Sequence, residues 1–311
     1  MKIKLPTEIN KTIKEIIDTF ELLMPNKMIS FYIIGSYAEN YYTKNSDIDA
    51  LLILKDNLSK KELNKAENIL DNLSEESLTD LDISVISENE LYHPKTLNQK
   101  IDALLVKKNS YLFYGKEIKE KIPEIDIDSY INMAVNRPIH FIARVRDNKY
   151  LTYPIDYPNK EVFHFGYCNR KILINGKNTP STKELVVNVG WMATALIALK
   201  AKEVVVRKND CLDKYKLFVN DEWVDFLEDV FAICRDKWEY RIPQKNNDKN
   251  KLISICKKTL QFENYFLEEY KNFIISQLKK KDHNNHVITE ILSKKIHYAE
   301  PEILEILNKN K

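Results

Sequence analysis

The chain has 311 residues, 44% hydrophobic and 30% charged, enough for two ordinary domains with a sizeable core and too apolar for a disordered chain. Its formal net charge of +2 sets up no global basic field, so nothing overall demands nucleic acid as a partner. The four cysteines (Cys168, Cys211, Cys234 and Cys256) include no C-x-x-C pair and the six histidines show no ligand spacing, so no zinc site is expected and a reducing cytoplasmic setting fits.

Met1 to Pro6 is too short and too charged to lead a signal peptide, and the longest apolar stretch, Val186 to Leu199, is broken by Asn188, Gly190 and Thr194. No membrane-spanning helix is therefore expected.

In chain order, Ile9, Ile13, Ile16, Ile17, Phe20 and Leu23 fall at helical spacing after the Pro6-Thr7 start signal, predicting a helix over residues 7–24. Met28 to Ile34 reads as a buried strand that runs into Gly35-Ser36, and residues 37–46 as a short helix and loop. Asp49 to Leu54 is a second strand. Ser59 to Leu73 is an amphipathic helix with Ser59 as its cap and Leu63, Ala66, Leu70 and Leu73 inward; Leu81 to Ile86 is a third strand. This order predicts a small mixed sheet with helices on one side. Residues 97–113 read as helical, followed by Tyr114-Gly115-Lys116 and a break at Pro123, with a domain boundary near Asp126. The stretch 137–180, rich in Pro and aromatics, reads as irregular structure or short hairpins. Helices follow over 182–202, 208–218, 221–239, 248–279 and 284–308, with Trp191 and Trp238 in their core. Lys279-Lys280-Lys281 is a solvated helix end, and His93 and His297 have no partners visible in sequence.

Three carboxylates carry the chemistry. Asp47 and Asp49, in Ser46-Asp47-Ile48-Asp49, share one face of a strand because side chains alternate, while Ile48 points into the core. If Asp82, in Leu81-Asp82-Ile83-Ser84, lies on the neighbouring strand, all three meet at one sheet edge beside the Gly35-Ser36 turn. Asp80 shares its face by alternation, but Asp82 is the stronger candidate because apolar residues flank it on both sides. Three anions so close repel one another unless a divalent cation joins them, and hard oxygen donors suit Mg²⁺.

Gly35-Ser36, nine intervening residues and then Ser46-Asp47-Ile48-Asp49, with a third acid on a later strand, resembles the nucleotidyltransferase superfamily. Within it the spacing is most similar to the streptomycin/spectinomycin (aminoglycoside) adenylyltransferases, antibiotic-resistance enzymes. Leu112-Phe113-Tyr114-Gly115-Lys116 with Pro123 resembles the end of their catalytic domain, and Trp191 with Lys202 to Asp213 their C-terminal bundle.

The resemblance implies an α/β nucleotidyltransferase domain over 1–126 and an all-helical bundle over 127–311. It implies ATP as co-substrate against Gly35 and Ser36, with Ser46 offering a second hydroxyl. Mg²⁺ would be held by Asp47, Asp49 and Asp82, and Asp82 would also act as general base. AMP would pass to a hydroxyl of a small aminoglycoside-like acceptor and pyrophosphate would leave. Lys208 would correspond to a phosphate-contacting lysine, with Arg207 as its rival.

Two features depart from the family. The third acid is aspartate where the antibiotic-modifying relatives carry glutamate. The stretch from Asn136 to Pro180 is longer and carries Arg137, His140, Arg144, Arg146, Tyr150, Tyr153, Tyr157, His164 and Arg170. That basic, aromatic segment either packs the two domains together or binds a different acceptor. The alternatives are accordingly a transferase acting on a protein or RNA, as a toxin or regulator does, or an ATP-binding sensor without turnover.

Overall fold

Strands that are apolar at every position cannot leave a face in water, and that determines how the N-terminal unit is layered. The computed structural model describes residues 5–77, 79–147, 151–174 and 176–279, together with Pro301, Ile303 and Glu305. Contacts divide the chain into two units. One comprises Met1–Ile125, Ile172–Asn178 and Val206–Asp210; the other comprises Asp126–Lys171, Thr179–Val205 and Cys211–Lys311.

The first unit runs α1 (Thr7–Leu23), β1 (Met28–Ile33), α2 (Gly35–Ala38), β2 (Ile48–Leu54), α3 (Lys60–Glu76), β3 (Leu81–Ser87), α4 (Glu88–Tyr92), α5 (Leu97–Lys108) and β4 (Tyr111–Gly115). The four strands lie in the order β3-β2-β1-β4. β1 is antiparallel to β2 and to β4, whereas β2 and β3 are parallel.

Phe31, Ile33, Ala50, Leu52 and Leu54 pack with Ile13, Ile16 and Phe20 of α1 and with Ala66 and Leu70 of α3. The alternate residues Tyr32, Leu51, Ile53 and Ile86 pack with Leu91, Ala103 and Val106 of α4 and α5. Helices thus cover both faces, not one as expected. Helix α3 begins on a capping box in which Ser59 and Glu62 satisfy one another's backbone N–H groups. The hydrogen bond from Lys27, with those from Ser59, holds the Glu62 carboxyl down to about 2.

The helix expected over 97–113 stops at Lys108. Beyond Asn109 the aromatic run Tyr111-Leu112-Phe113-Tyr114 favours a strand, and it pairs with β1 to complete the sheet. Gly115 closes β4 at φ +86°, where a Cβ would fall 2.1 Å from the Ile29 carbonyl oxygen.

The second unit opens with a helix that the sequence reading missed: α6 (Ile127–Arg144), capped by Asp126, whose side chain accepts from the Ser129 N–H. Pro138 within it, and the polar Asn132 and Asn136, mask its periodicity. β5 (Lys171–Ile174) and β6 (Lys177–Pro180) pair in a small two-stranded sheet, of which Ile172–Asn178 count with the first unit. Then come α7 (Lys183–Ala201), α8 (Cys211–Phe218), α9 (Val224–Asp229), a π-helical segment (Val230–Lys237) and α10 (Asn246–Lys279). The helix expected over 284–308 lies outside the described residues except for Pro301, Ile303 and Glu305, as do Tyr150, Lys280, Lys281 and His297.

By length and composition α7 is apolar enough to cross a membrane, with a mean hydropathy of 1.4, but its apolar window is 67% buried inside the protein. It packs against α6, α8 and α10 as a core helix.

The basic stretch is tied into this packing. The Arg146 Nη2 donates to Glu263 Oε2 at 2.5 Å, with only 4% of the arginine side chain and none of the glutamate exposed. Tyr167 Oη donates to the same carboxylate at 2.6 Å and Asn188 Nδ2 at 2.9 Å. Arg144 and Arg170 both reach Glu184. Arg137 stacks over the half-buried Trp191 with its guanidinium carbon 3.8 Å from the ring centroid.

A buried pair stripped of one partner leaves an uncompensated charge, so Arg146→Ala is expected to cost about 3–5 kcal/mol. Urea unfolding followed by tryptophan fluorescence reads this loss. The double change Arg146→Ala with Glu263→Leu recovers part of it; a single variant as stable as the parent contradicts the assignment.

Candidate active site

The parallel register of β2 and β3 sets Asp49 directly opposite Asp82. Asp47 lies two residues before Asp49 and therefore on the same face. One carboxylate oxygen from each of Asp47, Asp49 and Asp82 lies within 4.8 Å of the other two. Asp82 is exposed, and Asp47 and Asp49 are half-buried. Asp80 is not in this group; its backbone carbonyl accepts from the Ile48 N–H at 2.9 Å, joining the two strand starts.

β1 delivers the Gly-Ser turn to the same place, with the Ile34 N–H donating to the Asp49 carbonyl at 2.9 Å. Gly35 has φ +63°, and a Cβ there would sit 2.1 Å from Asp49 Oδ2. Glycine is thus required twice over, by its backbone conformation and by the carboxylate pressed against it. Ser36 Oγ is buried and has no hydrogen-bond partner among the described residues, which leaves a donor unspent beside the acids.

Ser46 is buried and its Oγ accepts from the Thr43 N–H at 2.9 Å, closing the turn that leads into Asp47. Tyr37 stacks on Tyr42 with ring centroids 4.6 Å apart. Burial, aided by Tyr42 and the Asp47 charge, pushes its phenol up to about 12, so it stays neutral.

Lys208 places Nζ 3.7 Å from Asp49 Oδ2, with half of its side chain exposed. It sits on a 3₁₀ turn (Lys208–Asp210) in the segment whose contacts belong to the first unit. Arg207, its rival, is turned toward Asp210 at 4.0 Å. The residue that fixes this segment escaped the sequence reading. The buried Glu39 accepts from the Lys208 N–H at 3.0 Å, the Asn209 N–H at 3.2 Å and Asn109 Nδ2 at 2.8 Å. An acid within the aromatic run Tyr37-Ala38-Glu39-Asn40-Tyr41 was its only sequence signal.

The arrangement offers a hard, all-oxygen anionic trio, an unspent buried hydroxyl and a half-solvated ammonium group. That combination suits a phosphate-bearing ligand accompanied by a hard divalent cation.

Comparison with known proteins agrees with this reading. A family model described as nucleotidyltransferase domain matches residues 11–148. No curated protein sequence matches the chain. Among solved structures, spectinomycin adenyltransferase AAD(9) from Enterococcus faecialis, crystallised with ATP and spectinomycin, is similar at 12% identity and a TM-score of 0.51. That likeness covers 81% of this chain and 98% of the other, and it is one of fold. A mutant of the toxin–antitoxin MntA-HpeT is similar at 18% identity over 35% of this chain and 76% of the other, with a TM-score of 0.25. Residues 11–148, the stretch that carries these acids, thus match a nucleotidyltransferase domain.

Proposed function

We propose that the protein transfers AMP from ATP to a hydroxyl of a small, aminoglycoside-like acceptor with release of pyrophosphate, in the cytoplasm where ATP is at hand. The observation that carries this reading is the carboxylate trio, with its Asp49 packed against Gly35 and within 3.7 Å of Lys208 Nζ. The fold likeness to an adenyltransferase crystallised with ATP and spectinomycin supports the choice of nucleotide and acceptor class. Asp47, Asp49 and Asp82 are the residues that would hold Mg²⁺, which when bound offsets the charge of the triphosphate and of the departing pyrophosphate.

The remaining work falls to the chain itself. Ser36 Oγ donates to a phosphate oxygen, which gives that buried hydroxyl the partner it lacks within the protein. Ser46 Oγ accepts from the Thr43 N–H and lies 3.4 Å from Thr43 Oγ1, and its hydroxyl turns from that oxygen to make a second phosphate contact. The pairing of Lys208 with Asp49 is half-solvated and worth only about 0–1 kcal/mol. The ammonium group can therefore turn from Asp49 to the phosphates at little cost. Asp82, the exposed member of the trio, accepts the proton of the acceptor hydroxyl. That oxygen bonds to the α-phosphorus as the bond to the bridging oxygen breaks. Aspartate is one methylene shorter than glutamate, so the acceptor must approach the sheet edge more closely.

The basic stretch was the feature that favoured a protein or RNA acceptor. Arg137, Arg144, Arg146 and Arg170 each face a ring or a carboxylate within the second unit, so a small acceptor is the better-supported reading.

Asp47→Asn and Asp49→Asn are each expected to lower pyrophosphate release by roughly 10²–10³-fold, the loss of several kcal/mol of charge stabilisation. The assay pairs each nucleoside triphosphate with a panel of aminoglycosides that includes streptomycin and spectinomycin. Turnover at the parent rate in either variant removes the proposal. Glu39→Ala releases the backbone that carries Lys208 without touching a reacting atom. It is expected to raise KM for ATP about tenfold, equivalent to about 1.4 kcal/mol, with a smaller change in kcat. Lys208→Ala should do the same, and the double variant should fall short of the sum. An unchanged KM in Glu39→Ala refutes the positioning role.

A further inference from the structure

His164 and Cys168 stand four residues apart, but nothing in sequence spacing brings Cys256 to them. His164 lies on a 3₁₀ turn (Phe163–Gly166), Cys168 just after it, and Cys256 in the body of α10. The fold nevertheless brings one ligand atom of each within 4.8 Å of the other two, and all three residues are buried. Spacing along the chain pointed to no zinc site, yet the fold gathers a nitrogen and two sulfurs in one place.

His164 is the informative member. Neither of its ring nitrogens has a hydrogen-bond partner among the described residues. A buried polar group left unsatisfied costs about 1–3 kcal/mol, and such groups are rare enough in folded proteins to need a cause. The backbone is strained at the same point: His164 has φ +64° and the adjoining Phe165 φ +57°, a left-handed region costing a non-glycine residue about 1–2 kcal/mol. Surrounding contacts hold the turn in this form. The Phe165 carbonyl accepts from the Asn159 N–H at 3.1 Å, and its ring stacks on Tyr157 with centroids 4.5 Å apart. The fold thus maintains a strained turn whose effect is to aim an unsatisfied imidazole at two sulfurs.

We propose that His164, Cys168 and Cys256 form a binding site for a borderline-soft transition-metal ion of the zinc type. Imidazole and thiolate are the donors such ions prefer, and the set contains none of the oxygen donors that Mg²⁺ requires. The charges also balance. Binding of M²⁺ forms one metal–nitrogen and two metal–sulfur bonds and releases two thiol protons, so a dication, two thiolates and a neutral imidazole sum to zero. Neutrality is what a buried site needs, because an uncompensated charge in the interior costs several kcal/mol. A further buried thiol, Cys234, interacts electrostatically with both Cys168 and Cys256. The ion would pin the strained turn to α10, so its binding adds to the stability of the helical unit. The proposal is independent of the transfer reaction and of the carboxylate centre.

Co²⁺ titration of the purified, reduced full-length protein tests it, because thiolate-to-cobalt charge transfer absorbs in the near ultraviolet and carboxylate ligation does not. One Co²⁺ per chain is expected with that band and, with a water molecule as the neutral fourth donor, the visible bands of a tetrahedral ion. Zn²⁺ should displace it, with two protons released per ion taken up by the apo protein. Cys256→Ser and Cys168→Ser are each expected to abolish the band or weaken binding at least tenfold, whereas Cys211→Ser leaves it intact. Zn²⁺ should raise the thermal midpoint of the parent. Absence of any sulfur band in the parent overturns the proposal without recourse to variants. So does a band that survives in both Cys168→Ser and Cys256→Ser.

Discussion

Three carboxylates held within 4.8 Å of one another are the constraint around which the N-terminal unit is organised. Two unit negative charges at such a distance near a protein surface repel by roughly 3–4 kcal/mol. The parallel register of β2 and β3 sets Asp49 against Asp82. What resists the repulsion is the sheet behind it: Ile33, Ile48, Leu51, Ile53 and Leu54 are fully buried. Each contributes about 1.5–3 kcal/mol by leaving water. The acids stand at the starts of their strands, where one end of a well-packed sheet can bear an electrostatic load that its middle could not. Gly35 belongs to the same economy of space, since any side chain there would occupy the position of the Asp49 carboxylate.

A cationic counterweight has to be present without being permanent, and the structure separates those two demands. Glu39, itself buried, holds the main chain of the 206–210 segment through part-buried hydrogen bonds from the Lys208 and Asn209 amides. The Lys208 side chain meets Asp49 in a half-exposed contact. The backbone is therefore firmly placed while the ammonium group stays exchangeable. Segment 206–210 lies between stretches of chain that belong to the second unit, so the position of its lysine depends on contacts remote in sequence.

That remoteness explains which parts were legible in the sequence. Gly35, Ser36, Asp47 and Asp49 could be found because a strand period and a short spacing carry them, and Asp82 because apolar neighbours mark its strand. The cap at Ser59 and the boundaries of α1 and β1 follow from equally local chemistry. Glu39 was invisible because its partners are Asn109, Lys208 and Asn209. Placing helices on one side of the sheet was an avoidable error: consecutive apolar residues from Ala50 to Leu54 already require cover on both faces. The helix expected to reach residue 113 failed where β4 gained a sheet partner, a tertiary gain outweighing local pattern. α6 was lost because Pro138 in a helix interior normally argues against one. His164, Cys168 and Cys256 meet only through the docking of a strained turn on α10, which no spacing rule anticipates.

Charge composition left the role of one stretch open for a related reason. Read along the chain, residues 137–170 form a basic, aromatic stretch suited to an anionic partner. In the fold Glu184 answers Arg144 and Arg170, Glu263 answers Arg146, and Trp191 answers Arg137. Both acids stand on helices far downstream in sequence, α7 and α10. A carboxylate as deeply buried as Glu263 is tolerable only with several donors, and Arg146, Tyr167 and Asn188 provide them from three separate parts of the chain. The same guanidinium groups cannot also present an unbalanced field to a polyanion. Counting charges by segment overstates the basic surface wherever the compensating acids arrive from other segments, and the nature of the acceptor has to be argued from the paired structure.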